Sequence, residues 1–196
     1  MNHPERSAER DAAIEAMLPH VPFDGWTHKS LAMGLRDAGM PADEVDLLFP
    51  LGVADMVATF CDWADRRMTD AAASLNEPRL SRRVKAVIAL RFRQNRDHKE
   101  AIRRAIGILA MPGNARHAMA CTARTVDAIW YAAGDRSADF SWYTKRAILT
   151  GVYAAAVLFW LRDQSEDDTD TLAFLDRRLA GVARLGRFKP PFLVPA

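Results

Sequence analysis

Residues 141–162, SWYTKRAILTGVYAAAVLFWLR, decide the class of fold. From Ala147 to Leu161 the stretch is apolar except around Thr150 and Gly151. At 1.5 Å per residue it would span roughly 22 Å as a helix, short of the roughly 30 Å hydrocarbon layer of a membrane. A helix this apolar on every side belongs in the middle of a protein core. It is expected to be the central helix of a soluble all-α protein.

The rest of the chain agrees with that reading. Strand signals are nearly absent, since no segment sustains period-two alternation with β-branched enrichment. Gly and Pro instead punctuate helical stretches. A first helix is expected from Ser7 to Met17, before Pro19 and Pro22. A second opens at Gly25-Trp26-Thr27, with Thr27 as N-cap, and ends at Gly39. A third runs from Ala42 to Phe49 and stops at Pro50. Six longer helices follow, at about 52–75, 80–95, 97–110, 115–133, 141–162 and from Ser165 to Leu185. Ser165 and Asp168 have the spacing of a capping box. Leu172, Leu175, Leu179, Val182 and Leu185 recur at helical spacing. The layout divides as a three-helix, helix-turn-helix-like head at 1–50, a helical ligand- and partner-binding bundle at 51–186, and an extended tail at 187–196.

Composition narrows the function classes. With 196 residues, 49% of them hydrophobic, the chain can bury a real core. The net charge of +2, from 27 bases and 25 acids, gives no general attraction to nucleic acid. Cys61 and Cys121 sit in apolar surroundings and read as buried thiols in a reducing compartment. The N-terminus lacks the basic start and apolar run of a secretory signal. A soluble, cytoplasmic protein able to touch a membrane is expected.

The head has the proportions of a DNA reader, but its third helix carries Asp43, Glu44 and Asp46 and no base. Three acids facing a polyanion oppose the phosphate neutralisation that supplies most non-specific affinity. Nucleic acid is therefore not an expected partner. Between Arg79 and Arg104 stand ten bases and two acids. They could face anionic lipid head groups, but the preferred reading is the solvated faces of two core helices. No HExxH, Glu-x-x-His, CxxC, P-loop, GxGxxG or GxSxG motif is present. No metal site, cofactor or catalytic grouping is expected. Trp142, Tyr143 and Arg146 lie within about one turn, and these residue types dominate binding hot spots. Packing of a helix start is the equal alternative.

At these residues the chain resembles a known family. The stretches PHVPFDGWT (19–27), WYAAGD (130–135), SWYTKR (141–146), DQS (163–165) and FLDRRL (174–179) are similar to the ubiquinone-biosynthesis accessory proteins, the ninth member of the Coq series in its bacterial form. The likeness covers about residues 12 to 185. It implies the fold of TetR-type regulators without transcriptional regulation. It implies a non-enzymatic protein that binds an isoprenoid, quinone or phospholipid in an apolar pocket. That protein assists the demethoxyubiquinone hydroxylase as its partner and allows a homodimer. Trp142, Tyr143 and Arg146 inherit the partner-binding role. Met119, Trp130, Val152, Ala156 and Phe159 are the candidate lipid-lining residues. Eukaryotic members use a further amphipathic helix at the membrane, which LGRFKPPFLVPA at 185–196 is not expected to supply. Either the basic 79–104 stretch or Phe188, Phe192, Leu193 and Val194 would then touch lipid, or membrane contact is left to the partner. The competing reading is a TetR-like, ligand-responsive transcription regulator. An enzyme is the weakest alternative.

Overall fold

The computed structural model describes residues 3–135 and 141–185, without the side chains of Ser141 and 183–185. The expected tail and its apolar residues lie outside the described residues. Within them the chain forms ten α-helices and no strand: α1 (Ala8–Met17), α2 (Val21–Asp24), α3 (His28–Asp37), α4 (Val45–Leu48), α5 (Val53–Ala72), α6 (Leu80–Gln94), α7 (Lys99–Leu109), α8 (Ala115–Ala132), α9 (Ser141–Trp160) and α10 (Thr169–Leu185).

Local chemistry accounts for the helix starts. Ser7 caps α1 by accepting from the Arg10 N–H at 3.1 Å, and Thr27 caps α3 by accepting from the Ser30 N–H at 3.1 Å. Gly39 ends α3 at φ +69°, where a side chain would be strained. The one-turn α2, with Pro22 in its first turn, was not expected from the sequence. The expected third helix shrinks to the single turn α4.

The capping box at Ser165 does not form. Ser165 still caps, its Oγ accepting from the Asp170 N–H at 3.1 Å, and Asp163 joins it, accepting from the Thr171 N–H at 2.8 Å and from the Ser165 N–H at 2.8 Å. Asp168 turns inward, is buried, and sits with Asp167 at positive φ. Its carboxylate takes Lys99 at 3.0 Å and Arg96 at 3.1 Å. Two long-range cations are a stronger partner for a buried carboxylate than one backbone N–H.

Two apolar cores share α5. The first gathers Ile14, Met17, Leu31, Leu35 and Phe49 with Met56, Val57, Phe60 and Trp63 of α5, and Ala101 and Ala105 of α7. It crosses the boundary at residue 50, so the head packs on the bundle continuously. The second gathers Met68 and Ala72 with Val87, Ile88 and Phe92 of α6, Val126 and Ile129 of α8, and Leu149, Val152, Ala156 and Trp160 of α9. The apolar helix expected at 141–162 lies on this core. Yet Tyr143, Ala147, Ile148, Gly151, Ala154 and Leu158 on its other side are exposed.

Most bases of the 79–104 stretch have partners within the fold even where their side chains reach solvent. Arg83 donates to the carbonyl of Leu75 at 2.9 Å, Lys85 pairs with Asp176, and Arg103 donates to the Leu161 carbonyl at 2.7 Å. Arg104 donates to the Pro22 carbonyl at 2.8 Å. These bases brace helices against one another. At the head, buried Arg10 does the same work, donating to Leu48 O at 2.7 Å, Asp55 at 2.8 Å and Thr59 at 2.9 Å.

Candidate functional site: a cavity between five helices

A cavity of about 360 Å³ opens between α5, α6, α7, α8 and α9. Most of its wall is apolar, including Phe60, Phe92, Ile102, Ile106, Leu109, Val157 and Trp160. Exposed Ala110, Ala154 and Leu158 (58% exposed) mark the mouth. Buried Arg91, Asn95, Cys121 and Thr125 mark the depth. The sequence places these groups by helical phase. On α9, Tyr153, Ala154, Val157, Leu158 and Trp160 share one side at spacings of three and four.

The polar part of the wall is an ordered network. Arg91 pairs with Asp65, and its Nε donates to the Tyr153 hydroxyl at 2.8 Å. Thr125 donates to Asp65 at 3.0 Å. Burial pushes Asp65 up to about 6, with the Arg91 charge and the Thr125 hydrogen bond pulling the other way. Burial also raises Tyr153, so its phenol stays protonated at neutral pH. One turn from the Asp65–Thr125 contact, Cys61 and Cys121 meet across the same pair of helices. The Cys61 thiol donates to Cys121, which holds the Cys61 proton on, and burial adds to that. Arg124 donates to the Cys121 sulfur at 3.3 Å. The cysteines are thus neighbours on a cavity wall, which their separation of sixty residues in sequence did not reveal.

None of Met119, Trp130, Val152, Ala156 and Phe159 is among the residues lining this cavity. Met119 is on the outer surface of α8 (74% exposed). Val152 and Ala156 are buried in the second core, and Trp130 packs against it. Phe159 stacks on Phe174 of α10 at 4.5 Å. The wall comes instead from positions beside them, Ala118, Tyr153, Ala154, Val157, Leu158 and Trp160. A helix that is apolar all round gives no sequence signal for which face meets a cavity.

The aromatic patch is brought together. The Trp142 and Tyr143 rings meet edge-on at 4.7 Å, and the Arg146 guanidinium lies 3.7 Å from the Trp142 ring centroid. Arg146 also pairs with Asp127 of α8. Trp142 and Arg146 are therefore partly buried braces, while Tyr143 is 69% exposed. At the head, α4 is one turn long, and Asp43 just before it and Asp46 within it are exposed to solvent. Among the described residues, no group of three or more metal-ligating side chains gathers, and no helix is long and apolar enough to cross a membrane.

The overall fold is similar to a TetR transcriptional regulator from Nitrosomonas europaea, with a TM-score of 0.72 at 23% identity over 91% of this chain and 99% of that one. At that identity the likeness speaks to fold alone. Residues 115–186, which include α8, α9 and α10, match the COQ9 family model. The Schizosaccharomyces pombe mitochondrial ubiquinone biosynthesis protein coq9 is 33% identical over 174 residues, covering 88% of this chain and 69% of that protein. The Xenopus tropicalis protein of the same description is 30% identical over 183 residues, and the human one 27% over 182. Each match covers 88% of this chain but only 57% of the relative, so the chain spans little more than half their length. With the fission-yeast match extending over both chains and the family model seated on the helices that carry the patch and half the cavity wall, this chain belongs to the COQ9 family.

Proposed function

We propose that this chain is a non-enzymatic, lipid-binding accessory protein of ubiquinone biosynthesis. It takes an isoprenoid or quinone lipid into the cavity between α5 and α9 and assists the demethoxyubiquinone hydroxylase. The observation that carries the reading is the cavity itself: an apolar chamber with an apolar mouth, in a chain of the COQ9 family. A polyisoprenoid has a high free energy in water, and each buried CH₂ recovers about 0.8 kcal/mol. A chamber of this kind lowers the cost of moving such a molecule from a membrane to a partner's active site. The hydroxylase would dock on the surface that includes Trp142, Tyr143 and Arg146, close to a peripheral site on the inner membrane. A homodimer is compatible with the exposed side of α9.

The test is mass spectrometry of organic extracts from the purified protein, against a matched unrelated protein. A co-purifying quinone intermediate or isoprenoid supports the reading. Extracts no different from the control count against it. A DNA-binding regulator is the second reading, favoured by the TetR-like fold. The single-turn α4 and the exposed Asp43 and Asp46 argue against it.

A further inference from the structure

The two ends of the cavity differ in chemistry. Apolar Ala110, Ala154 and Leu158 form the mouth, while Arg91, Asn95, Thr125 and Tyr153 supply polar atoms at depth. Those polar groups mostly satisfy one another. Thr125 donates to Asp65, Arg91 donates to Tyr153, and the Asn95 amide donates to the Arg91 carbonyl at 2.7 Å. Unspent capacities remain, the indole N–H of buried Trp160 among them. The Tyr153 hydroxyl accepts from Arg91, but its own hydrogen has no acceptor among the described residues. The Oδ1 of Asn95, a residue only 4% exposed, has no donor among them. The charge-assisted bond from Arg91 makes the Tyr153 O–H a better donor. An interior donor and acceptor left against hydrocarbon would each cost about 1–3 kcal/mol.

One wall beside these groups is aromatic and flat. The Phe92 ring stacks on Trp160 at 5.0 Å with the planes 11° apart, and on Tyr153 at 6.3 Å with the planes 12° apart. All three line the cavity. Parallel rings offer a planar surface for another planar ring. The volume sets a limit as well. About 360 Å³ lies at the small end of the ~300–1,000 Å³ typical of ligand pockets. That is room for one substituted ring and a short branch, not for a long prenyl chain.

We infer that the cavity binds its lipid head first: an oxygen-bearing quinone or phenol ring lies against the Tyr153–Phe92–Trp160 wall, and the prenyl chain leaves through the mouth at Ala154 and Leu158. Tyr153 donates to a ring carbonyl, and Asn95 accepts from a ring hydroxyl where one is present. A tail-first lipid would leave both capacities idle against hydrocarbon. This inference rests on the lipid-binding reading above and adds an orientation, with the residues that set it, that the reading does not require.

The experiment titrates the full chain with ubiquinone-1, and separately with farnesene, a prenyl hydrocarbon without oxygen. Trp emission and affinity are recorded. Ubiquinone-1 is expected to quench the emission of Trp160, and the quench is lost in Trp160→Phe. Tyr153→Phe is expected to weaken ubiquinone-1 by about three- to tenfold, one hydrogen bond's worth, and to leave farnesene unchanged. Equal effects of Tyr153→Phe on both ligands, or none on either, overturn the head-first orientation. So does ubiquinone-1 binding with no quench in the unaltered chain, a readout that survives if Tyr153→Phe does not fold. If neither ligand binds the unaltered chain, the lipid-binding reading itself fails, and this inference fails with it.

Discussion

The Nε of Arg91 on α6 donates to the hydroxyl of Tyr153 on α9 at 2.8 Å, while the same guanidinium pairs with buried Asp65 on α5. One cation thus ties three helices at the wall of the cavity. Removing it strands a carboxylate. Arg91→Met is expected to cost about 3–5 kcal/mol at pH 7.5. The sign of the pH dependence follows from Asp65, which burial raises to about 6. A raised acid favours the fold while the folded state holds its proton, and that contribution is lost as pH rises through about 6. The penalty of Arg91→Met should therefore be smaller at pH 4.5, where Asp65 is neutral, than at pH 7.5. Urea unfolding at both values checks this, and equal penalties would sink it.

Asp163 should behave in the opposite sense. Burial opposes its ionisation, but hydrogen bonds from Ser165 and Thr171 win and hold it near 2. Its contribution is present above the ordinary carboxylate range and is lost as pH falls toward 2. Asp163→Ala is expected to cost about 1 kcal/mol at pH 7, as for a lost helix cap, and to approach the unaltered chain at pH 2. Thermal unfolding across that range measures the convergence.

Gly34 marks the closest approach of α3 to α1. A Cβ there would lie 2.6 Å from the backbone of Ala16 and Met17. Backbone cannot rotate away as a side chain can, so Gly34→Ala must force the helices apart. A loss of about 1–3 kcal/mol is expected. By contrast, Gly181→Ala on α10 meets nothing within 4 Å and should be neutral or slightly stabilising. Parallel melting curves of the two variants decide.

The aromatic patch divides into brace and contact. Arg146→Ala removes the Asp127 pair and the cation–π contact to Trp142, and should lower the melting temperature. Tyr143→Ala removes an exposed ring and should leave the melting temperature unchanged. If the patch binds the hydroxylase, Tyr143→Ala weakens co-purification by about tenfold or more, as for a hot-spot residue. A stable Tyr143→Ala chain that co-purifies undiminished would remove Tyr143 from the interface.

The head should not retain DNA. With α4 reduced to one turn and Asp43 and Asp46 facing outward, mobility of duplex DNA at low salt is expected to be unchanged by the protein. A salt-sensitive retarded band would restore the regulator reading.

Much of this architecture was legible along the chain. Helix starts at Ser7 and Thr27 depend on hydroxyls that cap locally, and the stops at Pro50 and Gly39 depend on local backbone rules. The motif at 141–146 was legible as a patch because its residues are neighbours on one turn. The cavity was not. Its lining comes from five helices, and the α9 candidates Val152, Ala156 and Phe159 lie beside the wall, because Val152 and Ala156 are as apolar in sequence as Val157 and Leu158.

The sequence by itself determined the longer helices, their order and the apolar stretch around which they pack, since capping and periodicity act over a few residues. Only the tertiary structure decided that Asp163 joins Ser165 at the start of α10 while Asp168 turns inward to Arg96 and Lys99, and that most bases of 79–104 brace helices. It alone set Cys61 beside Cys121 and left a donor and an acceptor unspent at depth. Those outcomes depend on pairs separated by tens of residues. Which pairs meet is set by how whole helices pack, and no local pattern encodes that.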